Sequence, residues 1–330
     1  MLNFLSRVWD FCVEAGDFCV LFITIGIPLS SALLLAGLGE SINQRSGIFN
    51  LGCEGVMCLG AFVGMIIPYA VGKDAAVAWY VNVLGLAAAT VAGALMGLLF
   101  GLIVIKFNAP QGIAGIGMQL FCTGLACSFY RHFIGGAEGV HGINPISIPW
   151  LSKIPVVGKM LFSCNPMVYF SLLMVPLVSI IMKKTPWGLR VRACGLMPRA
   201  ADSMGVNVRR TRYQALALGS AFAGLAGAYM SLCHAKIFTS TLIGGRGFIA
   251  VALVYFGHWS PYGILGGALI FSMSQALQLA VQAKNFTSLP YEFLGMLPYI
   301  LVIVVLVFLS KQKHVEPTHL GKPFDSEMLI

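Results

Sequence analysis

The chain has 330 residues, of which 58% are hydrophobic and 10% charged. A soluble domain carries about 25% charged residues, so polar side chains are too few to cover a water-facing surface, and a purely soluble protein is excluded. The net charge of +9 does not read as nucleic-acid binding: eight of the 21 Lys and Arg residues fall between 183 and 212, and the others stand without the aromatic interleaving of a nucleic-acid platform.

Crossing the hydrocarbon core of a bilayer takes about 20 mostly apolar residues. Stretches free of Asp, Glu, Lys and Arg run in order over 18–39, 55–72, 75–105, 107–130, 160–182, 213–235, 247–283 and 293–310. Arg7 is followed by Asp10, Glu14 and Asp17 before the first run, which argues for a retained helix rather than a cleaved leader. Glu40, Arg45 and Glu54 flank a polar, glycine-bearing break between the first two runs. The run from Gly247 would be about 55 Å long as one helix, and His258, Trp259, Ser260 and Pro261 divide it in two. Its first half is short and follows Gly244-Gly245-Arg246-Gly247, which predicts a discontinuous or re-entrant segment. The expected fold is all-α: a polytopic membrane protein with about nine spans, in a range of about eight to ten.

The positive-inside rule places the basic stretch 183–212 in the cytoplasm. Counting by parity puts the tail from Lys311 inside, and the acidic N-terminus and the stretch 134–163 outside. Glycines at four-residue spacing (Gly60 with Gly64; Gly93, Gly97 and Gly101; Gly263 with Gly267) and the stripe Gly219, Ala223, Gly227 mark faces suited to close helix crossings. Gly-Ala-Leu at 93–95 recurs at 267–269, as an internal repeat would. The nine cysteines form no CxxC pair and lie mostly in apolar runs, so they read as small buried residues.

Catalytic and energy-coupling signatures are missing. No GxxxxGK[ST] phosphate cradle, HExxH pair or GxSxG elbow occurs, and no two of the six histidines have metal-ligand spacing. Ion-coupled transporters keep ionisable groups at membrane depth, yet none stands in the middle of a long apolar run here. Glu54 has two readings: a carboxylate favoured at a helix start, or a group in a translocation path together with Asn50. Gln119 with Thr123 and Ser274 with Gln278 each share a helix face. Those faces suit a weakly polar path or, equally, hydrogen bonds between helices.

The segment 187–212 is the most informative. Pro198 suits the first position of a helix and Gly205 a stop, which predicts two turns between them. Two turns do not hold themselves together in water. The segment is therefore either an element that docks on a partner through Ala200, Ala201, Arg190, Arg192 and Arg199, or a basic loop that only sets topology. Gly188, Leu189, Arg192, Ala193, Gly195, Pro198, Ala200, Ala201, Gly205, Asn207 and Val208 resemble the coupling-loop pattern G-L-x-x-R-A-x-G-x-N-P-x-A-A-x-x-x-G-I-N-V of permease subunits from bacterial ABC importers of the ribose and branched-chain amino acid class. Met197 replaces the usual Asn, removing a helix-capping side chain, and Val206 the usual Ile. Two further segments are similar to that family: Gly39-Glu40, Gln44 (usually Glu), Arg45-Ser46-Gly47, Asn50-Leu51-Gly52 and Glu54-Gly55, in the version typical of nucleoside relatives served by basic-membrane-lipoprotein receptors; and Gly245-Arg246-Gly247-Phe248-Ile249-Ala250 with Phe256-Gly257, Trp259 and Pro261.

The resemblance implies a single transmembrane permease domain over 18–310 with a coupling loop at 183–212, an N-terminal segment 1–17 and a cytoplasmic tail 311–330, set in a bacterial cytoplasmic membrane. Gly195, Pro198, Arg199, Ala200, Ala201, Asp202 and Gly205 would form the ATPase-coupling surface. Implied partners are a cytoplasmic ABC ATPase holding the ATP and Mg, a second permease (self or homologue) and a periplasmic or lipid-anchored receptor. The chain itself would hold no cofactor or metal and catalyse no reaction. The implied cargo is a nucleoside, riboflavin, ribose or another simple sugar. Against this stand a self-contained secondary transporter or channel and, more remotely, a membrane enzyme.

Overall fold

The computed structural model describes residues 2–71, 79–136, 139–145, 164–283 and 316–322, with residues 295–296, 299–300, 303–304 and 307 in helical conformation. Side chains are described from 23 onward. Among the described residues every element is helical apart from one isolated bridge between Gly139 and Ile237.

Helix α1 runs Leu2–Arg45, α2 Cys53–Val71, α3 Trp79–Gly101, α4 Gln111–Phe133 and α5 Pro166–Lys184. Two short helices follow, α6 Pro186–Leu196 and α7 Pro198–Ser203, then α8 Val208–Tyr229, the half-length α9 Arg246–Phe256 and α10 Pro261–Ala283. The last turns of α3 and α8 widen to π geometry over Leu102–Lys106 and Met230–His234.

Seven helical stretches are long and apolar enough to cross a membrane: Ile23–Arg45, Cys53–Val71, Trp79–Lys106, Gln111–Phe133, Pro166–Lys184, Val208–His234 and Pro261–Val281. The expected count of about nine is not reached: seven are found among the described residues. The difference has two sources. The run 293–310 lies mostly outside the described residues. The first half of 247–283 folds as the 11-residue α9, about 16 Å long at 1.5 Å per residue and too short to span. Its predicted break is present: the chain turns through His258 and Trp259, both at positive φ (51° and 55°), before Pro261 opens α10.

The first expected run also needs correction at its end. It was bounded at Gly39, where charge begins, but α1 continues six residues to Arg45 because Glu40, Asn43 and Gln44 are buried in protein and hydrogen-bonded there. The break between α1 and α2 is only 46–52.

Two apolar clusters share α1 as a wall. Ala32, Leu35 and Ala36 face a cluster built with α2, α3 and α8. Leu33, Leu34 and Leu38 face another built with α5, α9 and α10. Helices α1 and α8 are the most buried spans, followed by α2, whereas α4 is largely exposed. Small residues explain the centrality of α8, because helices in lipid associate by close backbone packing rather than by burial from water. Gly219 lies on Gly39, Gly224 fits between Gly60 of α2 and Gly93 of α3, and Gly227 lies on the carbonyl of Met57. The predicted stripes on α2 and α3 therefore pack on α8, with Gly224 an additional member there, while Gly263 and Gly267 of α10 pack on α9. Gly93 and Gly267 occupy different settings, the first against α8 backbone and the second against the Leu253 side chain.

Candidate functional site

The stretch 185–207 is assembled by local signals. Thr185 Oγ1 accepts from the Gly188 amide at 3.1 Å, capping α6, and Pro186 takes its first turn. Met197 is non-helical (φ −141°, ψ 79°) and supplies no side-chain cap to α7, as expected of Met in place of Asn, while Pro198 opens the helix. Gly205 adopts φ +82°, where a side chain is strained, and lets the amides of Gly205 and Val206 bond back to Asp202 and Ala201. Asn207 Oδ1 then accepts from the Arg210 amide at 2.9 Å and starts α8.

Of the residues assigned to coupling, Arg199, Ala200, Asp202 and Gly205 are exposed, while Gly195, Pro198 and Ala201 are buried. Ala201 packs inward with Cys194 and Val208 while Ala200 is exposed, since successive helical residues point about 100° apart, and both border an adjoining groove. Sequence reasoning overlooked the apolar half of the surface. Leu189, Met197 and Met204 are 60%, 67% and 84% exposed. They line, with Trp187, Leu196 and Thr318, a groove of ≈ 1110 Å³ rimmed by Arg190 and Arg210. An apolar groove with a cationic rim suits an acidic protein partner.

This surface is fastened to the membrane spans. Gly195 lies against the carbonyl of Arg45 and the amide of Gly47, a close approach that any side chain would prevent. Arg212 is buried, its Nε donating to Ser46 O at 3.1 Å and its Nη2 to Cys194 O at 3.5 Å. Those carbonyls belong to the ends of α1 and α6, where a cation is favoured. Arg212 is thus structural, and Lys183, Lys184, Arg190, Arg199, Arg209 and Arg210 are the exposed cations of the segment. The tail joins the same junction: Thr318 Oγ1 donates to Leu196 O, the His319 amide to Gly195 O at 3.1 Å, and the Gly321 amide to Gly47 O at 3.2 Å.

The other two motif segments meet beside it. Glu40 accepts from Asn43 Nδ2 (2.9 Å), Gln44 Nε2 (3.3 Å) and the Asn50 amide (3.1 Å). Gln44 Oε1 accepts the Trp259 indole N–H at 2.9 Å, and Arg45 Nε donates to Trp259 O at 2.8 Å. An amide at 44 supplies the donor that Glu40 needs and the acceptor that Trp259 needs, which a carboxylate cannot do. Asn50 Oδ1 accepts from the Gly52 amide at 2.9 Å, shaping the turn into α2. Glu54 stands in the first turn of α2, a helix start as expected, and its oxygens also accept the amides of Gly245 (2.8 Å) and Gly247 (2.6 Å) at the start of α9. Such charge-assisted bonds are among the stronger ones in proteins.

Gln119 and Thr123 do share a half-buried face of α4. That face meets α2, where Gln119 backbone abuts Gly55 and Thr123 hydrogen-bonds Cys58. On α10, Ser274 is buried and Gln278 half-buried; α10 packs on α1, α5 and α9. The two pairs lie in separate packing environments. Among the described residues no group of three or more His, Cys, Asp or Glu is placed to hold a metal, and Cys53, Cys58, Cys122, Cys127, Cys164, Cys194 and Cys233 are free thiols.

Residues 22–306 match the family described as branched-chain amino acid transport system / permease component. The chain belongs to that family. Among similar proteins, the guanosine ABC transporter permease protein NupQ of Bacillus subtilis is 37% identical over 286 residues, 84% of this chain and 88% of its own length. The putative glucose ABC transporter permease protein TsgC13 of Haloferax volcanii is 35% identical over 263 residues (78% and 77%). The nucleoside ABC transporter permease protein NupC of Lactococcus lactis subsp. cremoris is 30% identical over 290 residues (86% and 90%). The chain is a multi-pass membrane permease subunit of an ABC importer, and the resemblance of its three motif segments to that class holds.

Proposed function

We propose that this permease forms part of the translocation path for a nucleoside, with guanosine the first solute to test, and that its α6–α7 hairpin receives force from a cytoplasmic ATPase. The observation that carries the reading is the exposed groove of Leu189, Met197 and Met204 with its arginine rim, on a hairpin tied through Gly195 and Arg212 to α1 and α8. A load applied there reaches two mostly buried spans directly. The cargo assignment follows the names of NupQ and NupC, with a sugar as the alternative suggested by TsgC13. ATP and Mg would reside on the ATPase, a second permease would complete the path and a receptor would deliver the solute. Gly195, Pro198 and Ala201 would shape the hairpin from inside, and Arg199, Ala200, Asp202 and Gly205 would lie at the contact.

The test is co-purification and uptake. The wild-type chain is expected to retain its ATPase through affinity purification and to support ATP-dependent guanosine uptake. Met204→Glu, which places an anion in the groove, is expected to reduce both at least about tenfold, the effect of losing ~1.4 kcal/mol at an interface. Guanosine accumulation driven by a proton gradient in vesicles holding this chain alone would instead establish a secondary transporter.

A further inference from the structure

We infer that Glu54 is a positioning residue that makes the half-helix α9 move with α2 during transport. The inference rests on the permease reading above and adds a named residue to it.

Helix α9 is too short to cross a bilayer, so its first amides end within the protein. Both the Gly245 and Gly247 amides are taken by one carboxylate, 191 and 193 residues away in the chain. Two features make the attachment specific to this place. Gly244 and Gly245 turn the chain at positive φ (57° and 83°), presenting both amides to the same side. Gly247 then lies against the backbone of Glu54, at a spacing that leaves no room for a side chain. The corner is also closed on itself, because Arg246 Nη1 donates to the carbonyls of Leu242 (3.1 Å) and Ile243 (2.9 Å). Residues 242–247 thus form a compact knot whose hydrogen bonds to α2 both end on Glu54.

Helix α2 is in turn packed on α8 by backbone contact, Gly60 on Gly224 and Met57 on Gly227. Helix α8 begins directly after the α6–α7 hairpin. A continuous mechanical route therefore leads from the hairpin through α8 and α2 to Glu54 and the broken span. Glu54 is half-buried, so its two hydrogen bonds can break and reform, unlike the glycine contacts along the route, that of Gly247 on the Glu54 backbone included. Helix α9 also packs its apolar face on α1 and α10, so losing the Glu54 bonds would free its N-terminal corner from α2 and slow turnover while leaving the receptor's hold on solute unchanged.

The experiment compares wild type, Glu54→Gln, Glu54→Asp and Gly247→Ala. Deuterium exchange of the 242–249 segment is followed in the purified chain in nanodiscs, and guanosine uptake in cells carrying the complete importer. A neutral amide at 54 retains one acceptor for two donors, so E54Q is expected to raise exchange of that segment about tenfold or more. Uptake Vmax should fall at least about tenfold with KM within about twofold, the pattern of an interaction that acts on turnover rather than on binding. E54D, which keeps the charge, should retain more of both than E54Q, and G247A should resemble E54Q by attacking the contact from its other side. If 242–249 exchanges at the wild-type rate in E54Q and G247A, the inference is wrong. Faster exchange with wild-type Vmax would also overturn it, leaving Glu54 as a packing residue. A wild-type importer that takes up no guanosine ends the guanosine reading, and the exchange arm, which needs no solute, keeps that failure apart from failure of the Glu54 inference.

Discussion

Arg212 shows how one side chain decides the use of a basic segment. It is one of eight cations between 183 and 212, yet it is buried and bonded to carbonyls of two helix ends. A guanidinium offers several fixed donors, whereas an ammonium is a point charge. Arg212→Lys is therefore expected to leave one carbonyl unsatisfied and cost about 1–3 kcal/mol, read as a lower thermal-unfolding midpoint in detergent. The same change at the exposed Arg209 should alter stability by less than about 0.5 kcal/mol. Nothing in local sequence separates these two arginines. What separates them is that position 212 sits one turn into α8, facing Ser46 and Cys194, while 209 faces outward. Glu54 carries the same lesson. A carboxylate in the first turn of α2 was legible, but its hydrogen bonds to the start of a second helix, at Gly245 and Gly247, were not.

At the scale of elements, α7 is the least self-sufficient helix. Its six residues lack a side-chain cap at Met197, and a helix that short has no stability of its own in water. Met197 already stands at the capping position with a non-helical backbone (φ −141°, ψ 79°). Met197→Asn is thus expected to stabilise the start of α7 by about 0.5–1 kcal/mol, measured as slower deuterium exchange over 199–201. The boundaries of α7 were readable because Pro198 and Gly205 act through their own backbone preferences. The end of α1 was not readable in the same way: a charge run looks like a span terminus until tertiary packing supplies Glu40 with three donors.

For the whole molecule, the tail segment 316–322 is the unexpected part. It closes over Gly195, Leu196 and Gly47 and so bridges the hairpin and the end of α1. His319 there is held below its ordinary value of 6.5, first by burial and then by the nearby Lys322, Arg212 and Arg199. The sign follows from linkage: a base whose folded value is lowered binds protons more readily when released, so docking is at full strength above 6.5 and weakens as pH falls below it. Protection factors of 318–321 amides should accordingly drop between neutral and mildly acidic pH, and His319→Gln should flatten that dependence.

The amino-acid sequence alone determined that the protein lies in a membrane, that it is helical, where its spans are punctuated and which three segments matter. The first two follow from composition and the punctuation from short-range backbone chemistry, while the three segments were marked by their resemblance to the permease family. Only the tertiary structure decided that the three segments are one junction, with Arg45 and Gln44 on Trp259, Gly195 on Gly47 and Glu54 on Gly245 and Gly247. Contacts between residues some 150 to 215 positions apart depend on which helix faces meet, and α8 sets those meetings by presenting small residues to three neighbours at once.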